Sequence, residues 1–310
     1  MKLGLQIQSY TWPGGPEAIA ETLARVVRTA DDVGFDSIWV MDHFFQIRSV
    51  GRVDEPMLEG WTTLGWIAAN TSRARLGLMV GGVPYRHPGL WVKAATTLDV
   101  LSGGRAWLGI GAAWNQDEAE SLGFPFPPLG ERFELLEDTL EIAHRMWQGE
   151  RGTEQGYDGR HYRPTRLLNS PQALSRPRIP IMVGGGGERK TLRLVARFAD
   201  AANVFGAPEA IARKYRILEE HCAAVGRDFE EIERSTLQSV TVGPPDGRGT
   251  GTAASRGTES AAQIVDRFGE LGDAGAQHVI FSVRGTPGLH DPETLERIGR
   301  DVLPQLRDQQ

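Results

Sequence analysis

The sequence predicts a single (β/α)₈ TIM barrel with insertions at its C-terminal mouth, and three observations support this fold class. Eight strand-like segments alternate with eight helix-like segments, a pattern typical of a parallel sheet. Eight such units are the number that closes a sheet into a barrel, whereas an open doubly wound sheet would be unusually wide. The 310 residues suit one barrel domain over 1–310, and no interdomain linker or short-period repeat interrupts them.

Each predicted strand is a short apolar stretch. In the first, Leu3, Leu5 and Ile7 alternate with polar residues, which is strand periodicity. The other seven strands are expected at 37–41, 76–80, 106–110, 180–183, 201–204, 236–242 and 279–283.

The predicted helices carry recognisable start and stop signals. The first has Ile19 and Leu23 on its apolar face, and Gly34 follows as a stop. The third begins at Pro88 and ends at the Gly103-Gly104 pair. The helices are expected at 16–33, 57–70, 88–102, 131–148, 188–199, 208–225, 259–274 and 292–306.

Four connections are long. Those at 42–56, 111–130 and 243–258 follow strands, so they lie at the C-terminal mouth, where barrel enzymes place their chemistry. The composition of 243–258, rich in Gly, Pro, Ser and Thr, predicts a mobile lid. The stretch 149–178 leaves from the opposite end and is expected to run along the barrel wall with a small hairpin.

Composition and charge narrow the class of partner. The net charge of −6 argues against a nucleic-acid or anionic-membrane surface, and no stretch reaches the roughly 20 apolar residues that span a bilayer. We therefore expect a cytoplasmic protein with a small-molecule substrate. The single cysteine, Cys222, excludes an internal disulfide. No histidines have ligand-type spacing, so no metal site is predicted.

The pair Asp42-His43 stands where the second strand meets the mouth. A histidine there titrates near neutral pH and can give or take a proton, which favours a catalytic role. The alternative is a strand-end cap in which His43 bonds a neighbouring backbone group. By contrast, the acidic residues Asp117 and Glu118 are interpreted as a helix start rather than as glycosidase carboxylates.

Four glycines, Gly184 to Gly187, follow the fifth strand. Glycine bares backbone N–H groups, and a following helix would add the positive end of its dipole, so this loop is a candidate phosphate cradle. It lacks the residues of a P-loop and of the dinucleotide fingerprint. The alternative is a flexible turn.

Two further strand ends are rich in small residues. Gly111 and Ala112 end the fourth strand just before Trp114, and Val80 to Gly82 end the third. Such residues let a planar ring approach the backbone closely. The alternative is a barrel-mouth turn, which needs glycine in any case.

Together these segments resemble the luciferase-like flavin-dependent barrel family, and specifically its branch of F420-dependent oxidoreductases. The resemblance covers nearly the whole chain in the right order. The matching stretches are Gly34-Phe-Asp-Ser-Ile-Trp-Val-Met-Asp-His-Phe44, Leu76-Gly-Leu-Met-Val80, Tyr85-Arg-His-Pro88, Ala95-Thr-Thr-Leu-Asp-Val-Leu-Ser-Gly-Gly-Arg105, Leu108-Gly-Ile-Gly111 and Ile181-Met-Val-Gly-Gly-Gly-Gly187.

The resemblance implies a role for each candidate residue. The ring would lie across the mouth with its back face on a bulge at Val80 to Gly82, which in this family often contains a non-proline cis peptide. Asp42 would hydrogen-bond the ring or its tail, and His43 would face the substrate. The family also commonly forms homodimers. The implied cofactor-binding residues are Asp42, Val80, Gly81, Gly82, Gly111, Ala112, Trp114, Gly184, Gly185, Gly186, Gly187 and Asn203.

The implied reaction is hydride transfer between carbon 5 of coenzyme F420 and an organic substrate, with His43 as proton donor or acceptor. Trp12, Phe44 and Trp114 would make the substrate pocket apolar. The alternatives are an FMN-dependent monooxygenase and a non-catalytic flavin-binding barrel. The resemblance also implies that the sugar-phosphate dehydrogenases of this branch carry an acidic residue near the position of Trp114 and a tryptophan shortly after the Asp-His-Phe motif. This chain has Phe45-Gln46-Ile47 in the latter region, so their substrate is not expected here.

Overall fold

The computed structural model describes residues 1–149, 155–242, 258–285 and 288–307. Its strands form one sheet in the order β3-β2-β1-β9-β8-β7-β6-β5-β4, with every pairing parallel, and β3 also pairs with β5 to close the ring. The (β/α)₈ barrel is therefore confirmed. The strands are Lys2–Ile7 (β1), Ser37–Val40 (β2), Arg75–Leu78 (β3), Gly81–Gly82 (β4), Ala106–Gly111 (β5), Ile181–Gly184 (β6), Ala201–Val204 (β7), Glu233–Thr241 (β8) and His278–Arg284 (β9).

The helices between these strands follow the predicted order, with differences at their ends. The predicted helix 188–199 begins only at Thr191, because the glycine loop before it is not helical and Gly185 has a φ of 124°. The last helix is broken at Val302. The helices are Ile19–Asp32 (α1), Gly60–Asn70 (α2), Pro88–Leu101 (α3), Gln116–Ser121 (α4), Leu129–Gln148 (α5), Thr191–Phe198 (α6), Pro208–Val225 (α7), Ala261–Asp273 (α8), Pro292–Asp301 (α9) and Leu303–Arg307 (α10).

The third barrel strand is interrupted between β3 and β4. The peptide bond from Met79 to Val80 is cis, as the resemblance implies for this position. The neighbouring strand β5 needs a glycine at position 109, because a Cβ on Gly109 would lie 1.9 Å from the carbonyl oxygen of Leu78. The bulge therefore projects Val80 and Gly81 into the mouth of the barrel.

The barrel interior is filled in layers by side chains that alternate along the strands. Trp39 occupies the middle layer with Met182 and Ile280, all almost fully buried. A Cβ on Gly77 would lie only 2.5 Å from the Trp39 ring, so this position accommodates the indole only because it is glycine.

The described part of the long connection after α5 forms no helix or strand, so the expected hairpin is present only as a turn, and hydrogen bonds to α3 and α5 hold the connection on the outer wall. Its turn is closed by two backbone hydrogen bonds, Tyr157 N–H to the Pro164 carbonyl at 2.9 Å and Gly159 N–H to the Tyr162 carbonyl at 3.0 Å. The buried carboxylate of Asp138 on α5 accepts hydrogen bonds from this turn, which ties it to the barrel. The expected lid at 243–258 lies almost wholly outside the described residues.

A buried polar network closes the bottom of the barrel, away from the mouth. His278 bonds Glu233 through Nδ1 at 2.8 Å and Ser37 through Nε2 at 3.0 Å, and Lys2 also pairs with Glu233. Burial alone would raise the pKa of Glu233, but the hydrogen bonds and charges of His278 and Lys2 outweigh it and lower the pKa to about 2. This end of a barrel serves stability rather than chemistry.

We expect Glu233 to make the free energy of unfolding depend on pH. Its pKa is depressed in the folded state, so its stabilisation is complete above the unfolded pKa near 4.5 and is lost as the pH falls towards about 2. The loss amounts to about 3 kcal/mol. Urea unfolding at intervals between pH 7 and pH 3 should show a shallower decline for Glu233→Gln than for the wild type. Identical pH profiles would contradict this role.

Candidate active site

A cavity of about 860 Å³ opens at the C-terminal mouth of the barrel. Its walls come from the carboxyl ends of the strands and the connections that follow them, the usual position of a site in this fold. No helix in the described ranges is long and apolar enough to cross a membrane. No cluster of three or more metal-ligating side chains occurs in the same ranges.

The predicted ring site is largely assembled on one side of this cavity. Val80, Gly81, Gly111, Ala112 and Trp114 all line it. A Cβ on Gly81 would lie 2.3 Å from the buried ring of Trp91, so this wall of the cavity is held flat by packing behind it. Gly82 lies behind the wall, where its N–H donates to Asp42.

The glycine loop lies at one end of the same cavity. Gly184, Gly185 and Gly187 line it, and so does Thr191, the first residue of α6. A Cβ on Gly184 would lie 2.7 Å from Cγ2 of Val80, so the loop and the bulge are neighbours only because this position is glycine.

Gly186 and Asn203, two predicted residues near this end, differ in whether they line the cavity. Gly186 does not line the cavity, and its carbonyl accepts a hydrogen bond from Lys214 Nζ at 3.2 Å. Asn203 does line it, and its side-chain amide donates to Ser235 Oγ at 3.0 Å.

His43 faces the cavity and is held from behind by a carboxylate. Its Nδ1 lies 2.9 Å from Oε2 of Glu118, and its ring meets the Trp114 ring edge-on at 5.4 Å between centroids. The alternative interpretation of His43 as a backbone-bonded cap is therefore not what the structure shows. Its Nε2 makes no hydrogen bond to any residue of the described ranges.

Glu118 is the residue that the sequence reasoning undervalued. It lies in the first turn of α4, so the interpretation as a helix start is correct, but its side chain is fully buried and points inward. Its Oε1 accepts from the backbone N–H groups of Phe44 (2.6 Å) and Phe45 (2.8 Å), and its Oε2 accepts from Tyr85 Oη (3.0 Å). An acidic residue four positions after Trp114 was the available signal.

Burial, charges and hydrogen bonds determine where the protons lie among Glu118, Tyr85 and His43. Burial alone would raise the pKa of Glu118, but the hydrogen bonds from His43 and from the Phe45 and Phe44 amides outweigh it and lower the pKa. Burial and the Glu118 charge raise the pKa of Tyr85, which therefore donates as a neutral hydroxyl. An ionised Glu118 can only accept, so the proton on His43 Nδ1 points at it and Nε2 is left to exchange protons with a bound molecule.

The structure does not place Asp42 on the cavity where the ring or its tail is expected. Its side chain is 1% exposed and does not line the cavity. Both carboxylate oxygens are taken by Arg86 at 2.8 Å, and Oδ2 also accepts from Gly82 N–H at 3.1 Å. Asp42 therefore supports the bulge from behind.

The apolar substrate pocket expected from three aromatic residues is formed by only one of them. Trp114 lines the cavity and is 64% exposed, whereas Trp12 is buried in the core. Phe44 stacks on Phe124 at 5.1 Å and does not line the cavity.

The opposite wall of the cavity is polar, which the sequence reasoning missed. Gln8, Gln238, Ser239, Ser282 and Arg284 line it from the ends of β1, β8 and β9. The available signal was the polar residues that alternate with apolar ones at these strand ends.

The fold and this cavity define a (β/α)₈ barrel whose mouth is lined by a wall of backbone and small side chains, a glycine loop and a histidine hydrogen-bonded to a buried carboxylate. The chain belongs to the luciferase-like monooxygenase family, whose family model matches residues 1–278. The resemblance seen in the sequence is thereby confirmed.

Two relatives and one solved structure show which proteins this chain is similar to. An uncharacterized protein of Mycobacterium tuberculosis is 32% identical over 221 residues, which cover 67% of this chain and 76% of that protein. The F420-dependent glucose-6-phosphate dehydrogenase of Microbacterium testaceum is 27% identical over 322 residues, covering 90% of this chain and 91% of that protein. Among solved structures, an F420-dependent secondary alcohol dehydrogenase in complex with an F420–acetone adduct matches with a TM-score of 0.80 at 17% identity, covering 99% of each chain.

Proposed function

We propose that this protein is an F420-dependent oxidoreductase that transfers a hydride between the deazaflavin and a small organic substrate. The observation that carries the proposal is the His43–Glu118 pair, which presents one free imidazole nitrogen to a cavity with a flat wall and a glycine cradle. The similarity to enzymes named as F420-dependent supports the choice of cofactor.

The residues present fit such a cofactor. The wall at Val80, Gly81, Gly111 and Ala112 offers backbone and small side chains to a ring, and a Cβ on Gly111 would already be 3.1 Å from Val80. In the glycine loop the Gly185 N–H is taken by the Asn203 carbonyl at 3.0 Å, so the amides of Gly186 and Gly187 and the hydroxyl of Thr191 remain to hold a phosphate. When bound, F420 supplies a carbon centre that donates or accepts a hydride.

In this proposal the protein contributes position and a proton. Glu118 holds the imidazole of His43 in one tautomer, so Nε2 accepts a proton from a substrate hydroxyl or, in its charged form, donates one to a developing oxyanion. The barrel wall excludes water from one side of the bound molecule and fixes the distance between reacting atoms.

The part of the cavity that is left for a substrate has both apolar and polar walls. Met41, Ile47, Val50 and Leu237 give apolar contacts, and the polar wall offers amide, hydroxyl and guanidinium groups. We propose a substrate with a carbonyl, imine or activated carbon–carbon double bond on a largely apolar body. We do not extend the substrate of the relative named as a glucose-6-phosphate dehydrogenase to this chain, because the resemblance implies for that subgroup an acidic residue near the position of Trp114.

The experiment follows oxidation of reduced F420 under anaerobic conditions with a panel of ketones, enones and imines. The proposal predicts turnover that requires no oxygen. An FMN-dependent monooxygenase is the second candidate, favoured by the description of the family model. Turnover only with reduced FMN, and with one oxygen molecule consumed per product, would replace the first proposal by the second.

We further propose that the protein forms a homodimer through α2 and α3. These helices pack together, and the exposed positions of α2 carry no charge: Thr62, Gly65, Trp66 and Ala69. Trp66 is 47% exposed, and Leu90 and Leu101 on α3 are more exposed still. Lys93 on α3 is the one charged residue among the exposed positions of these two helices, and a largely uncharged face with an exposed tryptophan is typical of subunit interfaces.

Substitution Trp66→Glu is expected to shift the protein from dimer to monomer, because it places a charge at the centre of this face. Size-exclusion chromatography with light scattering measures the mass. Val225→Glu is the matched control, since Val225 is 44% exposed at the end of α7, a helix with many charged residues. A dimer that survives Trp66→Glu, or a monomeric wild type, would contradict this interface.

A further inference from the structure

The segment that contains the glycine loop is positively charged in an acidic protein. Residues 184–216 carry seven Lys and Arg side chains and three Asp and Glu, a net charge of +4, whereas the whole chain has a net charge of −6. The segment comprises the loop, α6, β7 and the first half of α7. Such a local excess attracts an anion and favours its association.

Several of these cations lack a carboxylate partner. Arg197 pairs with Glu137 and Arg213 pairs with Glu188, so their charges are already compensated. The basic residues of the segment with no ion pair to any carboxylate in the described ranges are Arg189, Lys190, Arg193, Lys214 and Arg216.

Two of these cations flank the glycine loop itself. Lys190 extends towards α5, where its Nζ lies 5.3 Å from the centroid of Phe133, a residue that lines the cavity. Lys214 reaches the loop from α7 and donates from Nζ to the Gly186 carbonyl at 3.2 Å. Since α6 packs against both α5 and α7, Lys190 approaches from the α5 side and Lys214 from α7, and both lie beside the cavity rather than in its lining.

The positive charge around the glycine loop is larger than the binding of one phosphate group requires. Backbone amides of a glycine loop and a helix start already stabilise a phosphate. FMN ends at its phosphate, whereas F420 continues from its phosphate through a lactyl group into a chain of γ-linked glutamates, each with a carboxylate. A molecule with an acidic extension beyond the phosphate matches this arrangement, and one that ends at the phosphate leaves both ammonium groups without an anionic partner.

We infer that Lys190 and Lys214 bind the oligoglutamate tail of F420 as it leaves the glycine loop, and so select F420 over FMN. The inference rests on the proposed function, since it concerns the same cofactor. Both lysines are binding residues for the tail and take no part in the hydride transfer. Their contribution comes from exposed ion pairs, so it falls as salt is added.

The test compares tailed F420 with its tail-less phospholactyl form, using quenching of tryptophan fluorescence to measure Kd at low and at physiological ionic strength. For the wild type we expect the tailed form to bind more tightly, and the difference to shrink with salt. The double variant Lys190→Gln/Lys214→Gln should bind the tailed form about tenfold more weakly and the tail-less form within about twofold of the wild type. Arg25→Gln is the control, an exposed cation on α1, which packs against α2 and α9.

The outcomes separate this inference from the proposed function. If both forms bind the wild type with equal affinity, the tail site is wrong and the F420 assignment stands. The same holds if the double variant loses no more affinity than Arg25→Gln. If neither form binds, both the tail site and the proposed function are wrong. Circular dichroism and the thermal midpoint verify that the double variant is folded.

Discussion

His43→Gln is expected to lower kcat by about 10²- to 10⁴-fold, the usual contribution of a positioned general acid or base. Glutamine retains a polar side chain of similar reach but does not exchange protons near neutral pH. In the proposed function His43 faces the substrate and the glycine loop holds the cofactor, so the Kd for F420 should stay within about twofold. Steady-state kinetics and fluorescence titration measure the two quantities.

The matched control is His161→Gln. His161 also pairs with a glutamate, Glu134, at 2.9 Å between Nε2 and Oε2, but this pair lies on the outer wall of the barrel and not at the mouth. Its substitution should leave kcat unchanged. Full activity of His43→Gln on a substrate turned over by the wild type would exclude His43 as the proton donor or acceptor.

Asp42→Ala is expected to lower the free energy of unfolding by about 3–5 kcal/mol. The physical reason is that Arg86, whose side chain is only 9% exposed, would lose both of its hydrogen bonds to Asp42 and keep only its pair with the partly exposed Glu59. The bulge would also lose its support at Gly82 N–H. Urea denaturation measures the change.

Two further variants show whether the lost stability comes from the buried charge. Glu59 also pairs with Arg86 but is 38% exposed, so Glu59→Gln should cost less than about 1 kcal/mol. The double variant Asp42→Leu/Arg86→Met should recover most of the stability, because it removes both charges together. Unchanged stability of Asp42→Ala would refute the structural role assigned to this pair.

Much of the fold was predictable because its signals are local. Strand alternation at Leu3, Leu5 and Ile7 and the helix from Pro208 to Gly226 depend on neighbours in sequence, and the structure has both. The ends of helices were less predictable where an adjoining loop uses residues that could also be helical. The helix after Gly187 starts three residues late, because the flexible loop and its turn use the residues that helical propensity alone would include.

The sequence predicted which strand ends meet at the site, but it did not predict which side chains contact one another there. Parallel strands bring His43, Val80, Gly111 and Gly184 to one mouth whatever their side chains do, so their meeting follows from the fold.

Which way a side chain turns depends on its partner. The partners that matter here, Arg86 for Asp42 and Glu118 for His43, lie 44 and 75 positions along the chain. No local pattern encodes a contact across such a distance, so the sequence did not show that Asp42 is buried behind the bulge while His43 lines the cavity.

The most direct test of the account is a parallel titration of the protein with F420 and with FMN, followed by quenching of tryptophan fluorescence. Trp114 lies exposed at the mouth and should report occupancy of the cavity. The account predicts micromolar binding of F420 and binding of FMN at least about tenfold weaker, in keeping with two exposed ion pairs to the tail. Tighter binding of FMN would contradict the F420 assignment and favour the monooxygenase.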